Sequence, residues 1–540
     1  MKANPASDSR SSRRDFLRVS AAGAAACWAR AKLEAGAALP ARPNIVWIVA
    51  DDLGYADLGC YGSEIHTPNL DRLAATGTRF AQAYSFPRCC PSRAALLTGA
   101  LPHEAGLGFM VAHEEKPGAN PTAYQGYLRT DVPTVAERLR TAGYRTCLAG
   151  KWHVGEHRPH WPCDRGFEES VGLVGGACSY FDPSGSRAQP RIRRFFRNDR
   201  EIVIRPDRDF YFTDEIAREA AAQLERTRHD PQPFFQYVAF TAPHWPLHAR
   251  VEDIALYRDR YRAGWDELRA QRHRRQVELG LVDPAWGLAP RDAVVPPWSA
   301  VPNPEELAHK MAVYAAQVHR LDQQIGRVLE ALDRTGRRDE TLVVFVSDNG
   351  GDPSLPPVVE ARLQEYDPTT LGGPRSYTGY GPGWGQVSNT PFRRYKRFAH
   401  EGGIAVPLIL HGPGFRGGRD WRREPVTLLD LAPTVLSAAR SPDGAKVASR
   451  GRSLAAAGRA AFAGGWEHMG HRAYREDNYK IVAGDGEPWE LYDLGTDRCE
   501  LRNLAAREPH RLAALTAAYD RWAKSAGVLP WPVTLQGNFG

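Results

Sequence analysis

Two short apolar runs, 45–50 (IVWIVA) and 342–346 (LVVFV), and three further strand-like runs, 144–148 (YRTCL), 234–240 (FFQYVAF) and 405–410 (AVPLIL), punctuate the chain. Runs of this length without polar alternation predict strands buried on both faces. Between them lie segments of helical period. The clearest is 311–332, where Tyr314, Val318, Leu321, Ile325, Val328 and Leu332 recur at three- and four-residue steps. It stops at Thr335-Gly336, just before the run at 342–346. Strands alternating with helices predict an α/β fold with a large, mostly parallel sheet sandwiched by helices. After about residue 437 the pattern changes. A small, polar stretch is followed by two alternating runs, GHRAYREDNYKIVAG and PWELYDLGTD, separated by Gly484-Asp485-Gly486. They predict a small antiparallel sheet. Residues 507–526 then place Leu512, Leu515, Tyr519 and Trp522 on one helix face. The expected division is therefore a main domain at 41–437 and a C-terminal subdomain at 438–540. Residues 255–300, rich in Arg, Trp and Pro, fit no simple element and are expected to be an insertion over the surface.

Composition narrows the class without naming it. Of 540 residues, 42% are hydrophobic and 25% charged, ordinary for a globular protein. Seventy basic residues against 63 acidic ones leave a net charge of +7, too dilute for a nucleic-acid binder, and no Lys/Arg tract lies beside aromatics. No apolar run reaches the roughly 18 residues of a membrane span. Eight irregularly spaced cysteines form neither a disulfide framework nor a zinc ribbon.

Two of the predicted strands end in the same chemistry. The first runs into Asp51-Asp52 and the fourth into Asp348-Asn349. Ligands bind outside the carboxyl ends of parallel strands, so adjacent placement would gather three carboxylates and one amide. Three carboxylates that close require a cation to stay ionised together, and an all-oxygen set suits Ca²⁺ or Mg²⁺ better than zinc. The acids read equally well as helix N-caps following their strands. The other runs also lead into polar groups: Lys151 and His153 in GKWH, His244 in APHWP, and Lys396 ahead of Glu401-Gly402-Gly403.

The N-terminus has its own signature. Arg13-Arg14 precede Phe16-Leu17 and an eleven-residue apolar stretch at 19–29, the length of a signal h-region. This resembles a bacterial twin-arginine export signal over residues 1–40, with cleavage expected among residues 35–38 and a periplasmic or secreted mature chain. Those forty residues carry seven of the basic groups and three of the acidic ones. Most of the basic surplus therefore belongs to the leader.

Residues 88–106, RCCPSRAALLTGALPHEAG, carry the most specific pattern. Cys89-Cys90-Pro91-Ser92-Arg93 through Leu97-Thr98-Gly99 resembles the C-x-P-S-R-x-x-x-L-T-G signature of the type I sulfatases in the alkaline phosphatase superfamily. The resemblance spans about residues 43–530, with the acid pairs, GKWH, the APHWP histidine and the Lys-to-Glu-Gly-Gly segment in the family's order. One departure stands out. Many relatives surround the late lysine with glycines, whereas here it lies in Arg393-Arg394-Tyr395-Lys396-Arg397.

The resemblance implies an alkaline phosphatase-like fold and a sulfuric ester hydrolase. It implies that a formylglycine-generating enzyme converts Cys89 to formylglycine (3-oxoalanine). The hydrated aldehyde would attack sulfur with one oxygen and use its second hydroxyl to expel sulfate, which a serine could not do. Asp51, Asp52, Asp348, Asn349 and the modified Cys89 would hold Ca²⁺, with Mg²⁺ as the other option. Arg93 would pin the hydrate, Lys151 would hold hydrate and sulfate, and His153 would be the base for elimination. His244 and Lys396 would bind the sulfate and protonate the leaving oxygen. A phosphodiesterase or phosphonate monoester hydrolase of the same superfamily remains open, as does a non-catalytic sulfated-glycan binder with an unmodified Cys89. The segments 255–300 and 351–390 would build the substrate rim, and His103, His157, His160, His468 and His471 are structural or rim residues.

Overall fold

A computed structural model describes residues 42–183, 194–355, 370–418, 420–441, 450–455 and 461–539. The twin-arginine segment and its cleavage region lie outside these residues. The strands in chain order are β1 (Asn44–Asp51), β2 (Thr78–Tyr84), β3 (Arg145–Lys151), β4 (Glu169–Leu173), β5 (Phe195–Arg197), β6 (Arg200–Ile202), β7 (Phe234–Pro243), β8 (Thr341–Ser347), β9 (Ala405–His411), β10 (Trp421–Arg422) and β11 (Val426–Thr427). They form one eleven-stranded sheet in the order β10-β2-β9-β8-β1-β7-β3-β4-β5-β6, with β11 also paired to β2. Strands β8, β1, β7, β3 and β4 are mutually parallel, and β9 runs antiparallel between β8 and β2. The expected fold class holds, and all five predicted runs are strands of this sheet.

Burial on both faces explains why those runs show no alternation. Val46 and Ile48 point into a core shared with Met311, Leu321 and Ile325 of the long helix Pro304–Arg334. Ile45, Trp47 and Val49 point the other way, into a core with Leu96, Leu97, Val135 and Leu431. Each face is covered by helices, so every side chain of β1 is removed from water. The long helix starts earlier than its apolar period because Pro304 at the first turn and Glu305-Glu306 after it suit a helix N-terminus.

The segment 255–300 corrects the expectation of a surface insertion. Its central part is the helix Gly264–Glu278, whose Trp265, Leu268, Arg269, Arg272 and Gln276 are buried. Arg272 is 2.7 Å from Asp57 and 2.9 Å from Glu64, all three buried or nearly so. A helix that turns charged residues inward loses its apolar period, although it packs as core.

Beyond the main sheet, β12 (Ala463–His468), β13 (His471–Glu476), β14 (Tyr479–Ala483) and β15 (Glu490–Asp493) form an antiparallel sheet in that order. The helix Pro509–Ala526 rests on it through Leu515 and Tyr519. A buried ionic cluster ties this sheet to the main one. Lys480 donates to Glu401 and Glu500, each at 2.9 Å, while Arg498 and Tyr84 reach the other Glu401 oxygen at 3.0 and 2.8 Å. Among the described residues no helix is long and apolar enough to cross a membrane.

Candidate active site

Topology alone gathers the candidate residues. The carboxyl ends of β1, β8, β7 and β3 lie along one edge of the sheet and carry Asp51-Asp52, Asp348-Asn349, His244 and Lys151-His153. Because β9 runs the opposite way, the residues that precede it, Lys396 and Glu401, arrive at the same edge. Strand β2 is antiparallel to β9 and delivers Cys89 there, five residues beyond Tyr84.

Local sequence explains the signature segment. Cys89 is the first residue of the helix Cys89–Thr98, and Pro91 sits in its first turn, where a missing N–H costs nothing. Ser92 is a clasp: its hydroxyl accepts from Phe86 N–H at 3.1 Å and donates to Phe86 O at 3.0 Å, fixing the approach from β2. Gly99 closes the helix at φ 73°, a left-handed position that favours glycine. Thus Pro91, Ser92 and Gly99 shape the backbone, and Cys89 and Arg93 are left to face the carboxylates.

Arg93 is fully buried and lies 3.0 and 2.8 Å from Asp348 Oδ2 through Nε and Nη2, and 3.8 Å from Asp51. Lys151 Nζ is 2.6 Å from Asp51 Oδ2. Asn349 donates to Asp52 Oδ1 at 2.6 Å, and Lys396 Nζ is 2.8 Å from both the Asp52 and Asp352 carboxylates. His244 Nε2 is 3.5 Å from Asp52, and its Nδ1 is 2.6 Å from Trp245 O. That carbonyl can only accept, so Nδ1 carries the proton and Nε2 faces Asp52. His153 takes a left-handed φ of 61°, with ring nitrogens 3.3 and 3.6 Å from Cys90 Sγ. Gly176 lies close to the same ring, where a Cβ would come within 2.6 Å of His153 Cε1.

None of the three acids caps a helix. The next helix after Asp52 is the short turn Gly59–Tyr61, and the strand-end carboxylates are spent on Arg93, Lys151, Asn349 and Lys396 instead. Asp352 is a member that the sequence did not reveal. It also accepts from Trp245 Nε1 at 3.3 Å. The only signal was its position four residues after Asp348, in an Asp-Asn-Gly-Gly-Asp turn.

Burial dominates the electrostatics. It pushes the Asp52 carboxyl up to about 7 against the pull of Lys396 and His244. It pushes Asp348 up to about 7 as well, with Asp51 adding to the rise and Arg93 opposing it. Burial disfavours charge on Asp352 too, but Lys396 and His244 outweigh it and hold that carboxyl far below the usual range. Lys396 stays protonated well above the usual lysine range, since Asp352 and Asp52 overcome its desolvation. Desolvation lowers both His153 and His244 to about 4, so both imidazoles are neutral near pH 7. The Cys89 thiol lies well below its ordinary value, chiefly through a hydrogen bond from Cys90, with Lys151 and His153 assisting. The Cys90 thiol is pushed well above it by burial.

The family model for sulfatases matches residues 43–441. The chain belongs to the sulfatase family. It is 37% identical to an arylsulfatase of Klebsiella aerogenes over 415 residues, covering 74% of this chain and 87% of that enzyme. It is also 37% identical to an uncharacterised sulfatase of Schizosaccharomyces pombe, covering 91% of this chain and 95% of that one. Among solved structures, Ps i-CgsB superimposes with a TM-score of 0.67 at 26% identity, covering 92% and 95% of the two chains. The activity of this sulfatase is sulfate ester hydrolysis, and the edge of the sheet that carries Cys89 is its candidate centre.

The remaining histidines sit elsewhere. His103 is 2.9 Å from Glu467, His160 is 2.5 Å from Glu115, and His157 is 2.8 Å from His113 O. The ring of His471 lies 4.4 Å from that of Phe398, and His468 is fully buried. Of the expected rim, residues 356–369 lie outside the described residues, while the helix Gly381–Ser388 is packed inside, with Trp384 fully buried.

Proposed function

We propose that the protein is a formylglycine-dependent sulfatase whose catalytic centre holds a hard divalent cation, Ca²⁺ in the first place. The observation that carries this reading is a pair of orphaned oxygens. Asp51 Oδ1 and Asn349 Oδ1 are buried and lack a hydrogen-bond donor. Buried oxygens without donors are costly unless a cation takes them up, and the set of Asp51, Asp52, Asp348 and Asn349 fits a hard ion. The charge balance points the same way. Asp51, Asp52, Asp348 and Asp352 face the fixed cations Arg93, Lys151 and Lys396, so a divalent ion would turn the site positive toward an anionic ester. When bound, the ion would lower the pKa of the nucleophile and neutralise developing charge on the ester oxygens. Formylglycine at position 89, produced by a maturation enzyme, would provide a hydrated aldehyde with two hydroxyls in place of one thiol.

The chain's own groups divide the remaining work. Arg93 bridges Asp348 and Asp51 and keeps them aligned beneath Cys89. Lys151 brings a second cation to Asp51, placed to hold a sulfate oxygen. His153, neutral and lying close to Cys90 and Gly176, is the base for the second hydroxyl. Lys396 keeps its proton and is the donor to the leaving oxygen, while His244, whose Nε2 faces Asp52, donates to a sulfate oxygen only in its protonated form. Residues 1–40 are proposed to direct export through the twin-arginine machinery.

Turnover of an aryl sulfate, an aryl phosphodiester and an aryl phosphonate by one preparation tests the reaction class. The sulfate is expected to be fastest, and a sulfate slower by orders of magnitude would overturn the assignment. Cation dependence carries its own pH signature. Since Asp52 and Asp348 titrate near 7 in the cation-free fold, well above their usual value of 3.8, the ion must displace protons. Raised carboxyl values mean that the cation-free fold loses stability as pH rises from about 4 through about 7. EDTA-treated protein is therefore expected to melt progressively lower across that window. Protein with added Ca²⁺ should hold its Tm, so the gap widens with pH. A gap that narrows toward pH 8 would count against these carboxylates as the ligands.

A further inference from the structure

The arginine-rich run around Lys396 is unexplained by the reaction itself. Two of its members are accounted for structurally. Arg393 donates to Glu490 at 3.2 Å, Tyr492 at 2.8 Å and Glu500 O at 2.9 Å, and Arg394 is 2.9 Å from Asp292. Arg397 differs. It is exposed, no carboxylate among the described residues lies within 4 Å of it, and its hydrogen bond goes to Ser354 Oγ at 3.2 Å. Ser354 is two residues beyond Asp352, whose carboxylate accepts its N–H at 2.8 Å and holds Lys396. The Arg397 guanidinium is thus tethered at the lip of the sulfate-binding cluster.

Arg88 is its neighbour across a backbone hydrogen bond, Arg397 N–H to Pro87 O at 2.8 Å. It directly precedes Cys89 and is half-buried. Its Nε has no partner, and Nη1 meets only the sulfur of Met469 at 3.8 Å. Again no carboxylate among the described residues pairs with it. Its charge is felt at Lys396, which places the two cations within Coulomb range. Met469 is at the tip of the hairpin joining β12 and β13, so the small sheet walls this side of the mouth.

Two arginines without counter-ions, beside Cys89 and Lys396, are unusual in a chain that pairs its other arginines there. The half-buried Arg88 guanidinium, partly desolvated and lacking a carboxylate, gains from an anion brought by a ligand. Its planar fork matches the two oxygens of a sulfate or carboxylate. We propose that Arg88 and Arg397 form a second anion subsite, and that the preferred substrates carry a further sulfate or carboxylate beyond the ester that is cleaved. This rests on the sulfatase reading above and narrows it to a polyanionic substrate class.

The test compares three aryl sulfates with one leaving group: a monosulfate, one with a second sulfate on the ring and one with a ring carboxylate. Wild-type kcat/KM is expected to favour at least one dianion over the monosulfate by about tenfold or more. Arg88→Gln and Arg397→Gln should each cut that ratio several-fold and the double variant should bring it near one, while Arg88→Lys keeps part of it. The ratio should also shrink with added salt, because a partly exposed anion contact is screened. Which dianion is favoured identifies the second group as sulfate or carboxylate. Turnover of all three esters with a ratio near one in the wild type, or a ratio that the Gln variants leave unchanged, would overturn the subsite and leave the sulfatase reading intact. No turnover of any sulfate by formylglycine-bearing protein would overturn both.

Discussion

Replacing Cys89 by alanine is expected to abolish turnover of aryl sulfates, lowering kcat by about 10⁴–10⁶, the range seen when a nucleophile is removed from an otherwise intact site. The fold should survive. Cys89 is the first residue of its helix, alanine suits that position, and the residues that shape the approach are Pro91, Ser92 and Gly99. The circular dichroism spectrum and the Ca²⁺-dependent rise in Tm should persist, since Asp51, Asp52, Asp348 and Asn349 remain. Cys89→Ser is the more informative variant. A serine hydroxyl in the same place can take the sulfuryl group but has no second hydroxyl with which to expel it. It should release at most one equivalent of phenol and then stop, with the mass of one SO₃ group added to the peptide that contains Ser92 and Arg93. Sustained turnover by the alanine variant would remove Cys89 from the mechanism. Sustained turnover by the serine variant would leave the nucleophile but refute the need for an aldehyde. Full activity in protein whose Cys89 is shown by mass spectrometry to be an unmodified thiol would refute the modification directly.

Much of the candidate site was legible because strand ends and polar side chains coincide in this fold. β1 and β8 are buried on both faces, so they stand out as unbroken apolar runs, and whatever follows them lies at the ligand-binding edge. That logic located Asp51, Asp52, Asp348 and Asn349 before any pairing was known. It failed where a strand is short or half-covered. β2 reads TRFAQAY, with Arg79 and Gln82 only partly buried, and β5 and β6 have three residues each, so none has a period to detect. It failed again where charge is packed inside. Asp352 and the helix Gly264–Glu278 look like surface residues because their acids and arginines are satisfied by partners distant in sequence: Lys396 for Asp352, Asp57 and Glu64 for Arg272. Glu401 shows the same limit from the other side. In the sequence it marked a spacing after Lys396, whereas in the structure it is the anchor that holds that segment to the C-terminal sheet.

That anchor is where the largest loss of stability is expected. Lys480 is fully buried between Glu401 and Glu500, and Lys480→Met would remove the cation they share, leaving Arg498 in contact with Glu401 but not with Glu500. Removing one partner from a buried ionic cluster costs about 3–5 kcal/mol, because the charge left behind is no longer compensated. The acid limb gives the loss a distinct signature. Burial disfavours the Glu401 carboxylate, but Lys480, Arg498 and Arg475 hold it down to about 2, against an ordinary 4.5. A depressed carboxyl contributes stability that is present above about pH 4.5 and disappears as pH falls through about 2. Without Lys480 the folded-state value of Glu401 should rise, so acid unfolding should begin nearer neutrality, and the Tm difference between variant and wild type should be largest at pH 7 and shrink toward pH 2. The effect should reach the active site as well. Gly402 N–H donates to Arg393 O at 2.9 Å, and Gly402-Gly403 join Glu401 to β9, so loosening Glu401 loosens the loop that carries Lys396. Loss of kcat/KM at temperatures where the variant is still folded would locate the damage there, and pairing Lys480→Met with Glu500→Gln should recover part of both stability and turnover by removing the stranded charge. A Lys480→Met variant with wild-type Tm across this pH range would show that the cluster contributes nothing to holding the two sheets together.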